Sequence, residues 1–174
     1  MKSNTTMIEL RELKSDDREL LVRYLNNEQL VRYLASRIPQ PYSFDDASWW
    51  VEVGSKEQAF VRAISLNGAF CGVIGVYTKE ADYAHAAELG YWIAQEYWDQ
   101  GIASKAVADF TELVFATTDI QRIYAVVAAP NVASIKVMEK VGFSLEGILK
   151  QAVQKQGQFF DEHLFAKVRS GADE

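Results

Sequence analysis

The chain has 174 residues, with 18 basic against 24 acidic side chains, a formal net charge of −6 and a pI near 5.0. Apolar residues at 49% and charged residues at 24% are ordinary for a globular domain, and three Pro and ten Gly exclude a collagenous or low-complexity chain. The longest apolar run, Ile123 to Ala129, falls far short of the ~20 residues of a membrane span, and the scattered Lys and Arg make no basic face for nucleic acid.

Met7-Ile8-Glu9-Leu10-Arg11 alternates apolar and polar residues and predicts a first strand. Ser15-Asp16-Asp17 offers a helix start, with Leu20, Leu21, Tyr24 and Leu25 at helical spacing and Asn26-Asn27 as its end. Pro39 and Pro41 make the stretch from Val31 to Phe44 an extended loop. Ser43 or Asp45 then caps a second helix carrying Ala47, Trp50 and Val51. Ala59 to Leu66 and Ala69 to Tyr77 form a hairpin around Asn67-Gly68. Cys71 lies on the return strand, where nothing nearby lowers its pKa, so a buried inert thiol is expected.

Glu88 to Ala94 predicts the next strand, and Gly101 opens a helix in which Ala103, Ala106, Val107, Phe110, Leu113 and Val114 recur at three and four residues. A strand from Arg122 to Ala128 follows. Asn131 then caps a short helix with Ile135 and Met138 inward, which stops at Gly142. Two last strands, Ser144 to Lys150 and Phe159 to Val168, flank Gln156-Gly157-Gln158. Hairpins mixed with strand–helix–strand crossovers predict an α/β (α+β) fold, a mixed sheet with helices on both faces. No repeat or linker interrupts residues 1–174, which read as one domain. The polar start Met1-Lys2-Ser3-Asn4-Thr5-Thr6 and the single cysteine predict a protein of the reducing cytoplasm.

The chemistry concentrates between Glu88 and Ser104. An apolar strand runs through Trp92-Ile93-Ala94 into a short polar loop, and Gly101-Ile102-Ala103 leads into the long helix. The first turn of a helix carries backbone N–H groups without internal partners and the positive end of the dipole. Small residues let a phosphate or pyrophosphate approach those groups. The loop has neither the P-loop ending nor the three-glycine dinucleotide fingerprint, and many helices simply start at glycine.

Trp98-Asp99-Gln100-Gly101-Ile102-Ala103 resembles the CoA-binding loop of the GNAT superfamily of N-acyltransferases, Gln/Arg-x-x-Gly-x-Gly/Ala, and departs from it at the first position. A Trp there is similar to the branch of the Rim-type acetyltransferases of ribosomal-protein N-termini and the spermidine acetyltransferases. Asn131 to Gly147 and the opening Ile8 to Leu13 with Asp16-Asp17 resemble the same branch, so the similarity spans a core of about residues 7–168. The resemblance implies a mostly antiparallel GNAT-like sheet and acetyl-CoA as cosubstrate. Backbone groups at Trp92, Ile93 and Ala94 would pair with the pantetheine arm, the Ile93 N–H stabilising the oxyanion. The N–H groups of Asp99, Gln100, Gly101, Ile102, Ala103 and Ser104 would hold the pyrophosphate, and Asn131 would reach the cofactor or serve only as a helix cap.

An ammonium has no lone pair, so acyl transfer needs a neutral amine; an α-amino group titrating near 7.7–8.0 needs little help and an alkyl amine near 10.4 needs more. By the resemblance, Glu88 takes the proton through water, or is simply a solvent-facing strand residue. Met138 stands where many relatives carry a Tyr, and Ser134, three residues after Asn131, would hydrogen-bond the departing thiolate. Asp161 is similar to a recurrent acid of the branch and is read as an anchor of the turn. His85 and His163 are too isolated for a metal site. The expected partners are acetyl-CoA and an amine acceptor: a ribosomal-protein alanine or serine N-terminus, or a polyamine, antibiotic, amino sugar or other small amine. A non-catalytic acyl-CoA sensor is the alternative class. No metal, nucleic acid or membrane is expected, and the chain is a monomer or homodimer.

Overall fold

In the computed structural model, which describes residues 6–171, the chain runs β1 (Ile8–Arg11), α1 (Arg18–Leu25), α2 (Glu28–Val31), α3 (Phe44–Glu52), β2 (Ala59–Leu66) and β3 (Ala69–Thr78). It continues through β4 (Ala86–Ile93), α4 (Ile102–Thr117), β5 (Arg122–Ala128), α5 (Val132–Lys140), β6 (Ser144–Lys155) and β7 (Gln158–Val168). The seven strands take the order β1-β2-β3-β4-β5-β7-β6. β4 and β5, joined through α4, pair in parallel, whereas β1–β2, β5–β7 and β6–β7 are antiparallel. The sheet is therefore mixed and mostly antiparallel, as expected.

The described residues divide between two compact units. One holds the chain up to residue 75 with residues 91–106. Its core gathers Leu21, Leu25, Ala47, Val51, Val61 and Val73 around the rings of Tyr24, Phe70 and Trp92, whose centroids lie 6.1 to 6.2 Å apart. Two of those ring pairs are edge-to-face, the arrangement the aromatic quadrupole favours. The hairpin turns at Asn67 and Gly68 with φ of 50° and 86°, the paired left-handed residues of a two-residue loop. Ser43 caps α3 reciprocally with Asp46.

α1 ends at Leu25 with Asn26 as its C-cap, where Asn26-Asn27 was expected to end it. Asn27 in addition accepts from the N–H groups of Gln29 and Leu30 and starts α2, a short helix the sequence pattern did not predict. One local expectation gives way: the acids of Ser15-Asp16-Asp17 do not cap α1 through their side chains, because Asp17 is only 2% exposed and turns inward. Its two oxygens each accept from an Arg11 guanidinium nitrogen at 2.8 Å, and one also accepts from the Lys14 N–H at 2.9 Å.

The other unit comprises residues 76–90 and 107 onwards. β5 alternates strictly: Ile123, Ala125 and Val127 are buried while Tyr124 and Val126 are half-exposed. Val107, Phe110 and Val114 of α4, Met138 of α5, Phe143 and Phe165 are buried. Arg169 donates to the carbonyls of Phe115, Thr118 and Ile120, satisfying the end of α4 with a cation. β6 runs to Lys155, beyond the expected end at Lys150, because a bulge rather than a turn follows. The register shifts between Leu149 and Val153, and Gln151 sits at φ 49°.

Candidate active site

β4 and the segment after it provide the first set of groups. Trp92, Ile93 and Ala94 are buried, and the Ala94 N–H donates to the Cys71 carbonyl at 2.8 Å. A single 3₁₀ turn over Gln95–Tyr97 follows, closed by Tyr97 N–H to the Ala94 carbonyl at 2.9 Å and Trp98 N–H to the Gln95 carbonyl at 3.1 Å. The Trp98 indole N–H then reaches back to the Ile93 carbonyl at 2.7 Å.

Beyond Trp98 the backbone turns left-handed twice, at Asp99 with φ 60° and Gly101 with φ 73°, before α4 begins at Ile102. A β-carbon on Gly101 would meet nothing within 4 Å, so the glycine serves backbone conformation and not tight packing. Asp99, Gln100 and Gly101 are exposed, Ala103 and Ser104 half-buried, and Ile102 is buried and ties the turn to the core. The left-handed Asp99 and Gly101 lead into the first turn of a sixteen-residue helix, whose N–H groups have no partner within the helix itself, an arrangement chemically suited to an anion.

The second set lies on β4, β5, α5 and β7. Glu88 stands opposite Tyr124, the last residue pair of the β4–β5 ladder. Its carboxylate is 35% exposed and lies 3.2 Å from the Lys79 ammonium. A hydrogen bond to Tyr124, helped by Glu88, holds the Lys79 ammonium above its ordinary pKa. On the same face of β5, Glu162 stands opposite Ala128, and burial, with the charge of Glu88, raises its carboxyl above the usual range.

Asn131 caps α5, its side chain accepting from the Ser134 N–H at 3.4 Å, so the helix-cap reading holds. Ser134 is half-buried in the first turn of α5, while Met138 is fully buried and faces the core. Asp161 accepts from the Gln151 N–H at 2.8 Å and faces Lys150 Nζ at 3.2 Å, contacts that hold its pKa low and pin the β6 bulge. It is the anchor the sequence suggested, for a bulge instead of a turn.

Cys71 is fully buried, and burial pushes its thiol up to about 11. Trp50 is half-buried and Trp49 is 55% exposed. His163 stacks on Phe165 with centroids 6.3 Å apart. Among the described residues no group of His, Cys, Asp and Glu is arranged to hold a metal, and no helix is long and apolar enough to cross a membrane. Two site features escaped the sequence reading. The Trp98 bond was hidden behind a departure from the loop pattern, and Glu162 was one more polar residue of the last strand.

The model of the acetyltransferase (GNAT) domain family matches residues 8–144. The chain is 26% identical over 171 residues to the uncharacterised N-acetyltransferase YoaA of Bacillus subtilis (strain 168), covering 95% of each. It is also 26% identical over 155 residues to spermidine N(1)-acetyltransferase of Escherichia coli (strain K12), covering 87% of this chain and 81% of that protein. Its fold is similar to that of RimL, a ribosomal-protein alpha-N-acetyltransferase solved with coenzyme A, at a TM-score of 0.82 and 24% identity over 95% of each chain. With the family model spanning most of its length and a mixed sheet of the same fold, this chain is a GNAT acetyltransferase that uses acetyl-CoA as its cosubstrate.

Proposed function

We propose that the chain, as one domain of the cytoplasm, acetylates the α-amino group of a protein N-terminus, an alanine or serine of a ribosomal protein, by direct attack on acetyl-CoA. The observation that carries the acceptor class is the Lys79–Glu88 ion pair at 3.2 Å. A carboxylate already facing an ammonium suits an acceptor that is partly neutral without help, which an α-amine is at pH 7 to 8 and an alkyl amine is not. In this reading the N–H groups of residues 99–104 hold the pyrophosphate, and the strand end Trp92-Ile93-Ala94 lines the pantetheine arm. Asn131 adds a contact to the cofactor. The Ile93 N–H polarises the thioester carbonyl, Glu88 accepts the ammonium proton through water, and Ser134 hydrogen-bonds the leaving thiolate.

A small polycationic amine is the second reading. It is favoured by Glu88 and Glu162 sharing one half-open sheet face, where two carboxylates would hold a second ammonium. Thiol release from acetyl-CoA with Ala- and Ser-starting peptides, spermidine and amino sugars separates the two. Turnover with the peptides supports the first reading and turnover with spermidine alone supports the second. Tight CoA binding with no release for any acceptor supports a sensor. Ser134→Ala is expected to lower kcat about tenfold with CoA affinity retained, and an equal fall in affinity would make Ser134 a binding residue.

A further inference from the structure

We infer that Trp98 is a positioning residue for the thioester arm of the cosubstrate, its indole N–H holding the carbonyl of Ile93 so that the Ile93 N–H is left in a fixed direction for the arm. This rests on the acetyl-CoA reading above and deepens it. In an extended strand the N–H and carbonyl of one residue point to the same side, and those of its neighbour to the other. The Ala94 N–H points at β3, where it donates to Cys71, so the amide groups of Ile93 face away from β3. Ile93 itself is 6% exposed, and its carbonyl is taken by the Trp98 indole at 2.7 Å.

The bond closes a short ring of chain. Residues 93 to 98 are held by the 3₁₀ turn from within and by the indole across its ends. Trp98 is 41% exposed, so burial of the ring does not account for it. What Trp shares with the Gln or Arg of the usual loop pattern is a side-chain N–H donor and little else. The departure at this position therefore keeps the donor and changes the shape.

The test is calorimetric titration of the full chain and of W98F, W98R and W98Q with CoA and with adenosine 3′,5′-diphosphate, which lacks the pantetheine arm. W98F keeps an aromatic ring and loses the donor. It is expected to bind CoA about tenfold more weakly and to change little toward the nucleotide. KM for acetyl-CoA should rise with KM for the acceptor unchanged, and W98R or W98Q should recover most of the loss. Equal CoA affinity in W98F, equal weakening toward both ligands, or no recovery with either donor overturns the inference. The wild-type indole N–H resonance is a check that needs no variant: a Trp98 signal unmoved by saturating CoA overturns it too. Wild-type chain without any CoA affinity overturns the functional reading itself, and this one with it.

Discussion

Gly72 lies so close to the main chain of Trp92 that a β-carbon on it would come within 2.3 Å of the Trp92 carbonyl oxygen and 3.1 Å of Ile93 Cδ1. The glycine thus serves the approach of β3 to β4 just before the strand end proposed to line the pantetheine arm. A backbone oxygen cannot swing aside as a flexible side chain can, so Gly72→Ala must push the two strands apart. The expected cost is about 1–3 kcal/mol, the range for overpacking a filled site, seen as a thermal midpoint lower by several degrees. CoA affinity should fall with it, because Ile93 moves. A variant with the wild-type midpoint and affinity would show that the strands part without strain.

Asp17 supports a second stability prediction. It is 2% exposed and accepts three hydrogen bonds, two from Arg11 and one from the Lys14 N–H. Asp17→Ala leaves the guanidinium and the backbone donor without that partner. A fully buried pair broken from one side costs about 3–5 kcal/mol; the Arg11 side chain is 23% exposed, and water can reach it, so about 2–3 kcal/mol is expected here. Arg11→Lys keeps the charge and loses the two-pronged geometry, and should fall between the two. Urea unfolding of the three proteins at one pH measures the order.

Most strands and helices were legible because their periodicities are undisturbed. β2 and β5 have the ends their patterns predicted, and Gly101 and Gly142 stand at positive φ where a helix begins and another ends. Elements were missed where one residue type serves two ends. Asn27 caps the next helix as well as any Asn ends the last, and only tertiary packing decides. The β6 bulge was illegible because its cause, Asp161, lies ten residues from Gln151 and acts across the hairpin. Near the candidate site, the start of α4 was legible from a glycine before a helical pattern, with Gly101 at φ 73° and the helix beginning at Ile102. The partners of Glu88 and Trp98 were not, since a side-chain hydrogen bond leaves no periodic trace. Lys79 is nine residues from Glu88 and joined to it only by the β3–β4 turn.

Glu162 predicts a pH effect with a definite sign. Burial first, and the charge of Glu88 second, raise its folded-state pKa above the ordinary value of 4.5, with Lys155 opposing. Below about pH 4 the carboxyl is protonated in both folded and unfolded chains and costs nothing. As pH rises through 4.5 the unfolded chain ionises first, so this group lowers native stability until the folded pKa is passed and a constant deficit remains above it. Glu162→Gln should therefore raise the thermal midpoint at pH 7.5 and leave it nearly unchanged at pH 4. A gain of the same size at both values would assign the effect to packing.

Asn131 has one demonstrated role and one proposed role, and a conservative pair of variants separates them. Its side-chain oxygen accepts from the Ser134 N–H and caps α5. Asp supplies the same oxygen and is as good a cap, with its charge at the favourable end of the helix dipole, whereas Ala supplies none and should cost about 1 kcal/mol. The amide donor of Asn131 is absent from both. If Asn131 only caps, Asn131→Asp should match the wild-type chain in thermal midpoint and in CoA affinity. If its amide also contacts the cofactor, Asn131→Asp should keep the midpoint and lose about tenfold in affinity, since a carboxylate would then face a phosphorylated ligand. The second outcome is the one expected from the acetyl-CoA reading, and titration of both variants with CoA decides it.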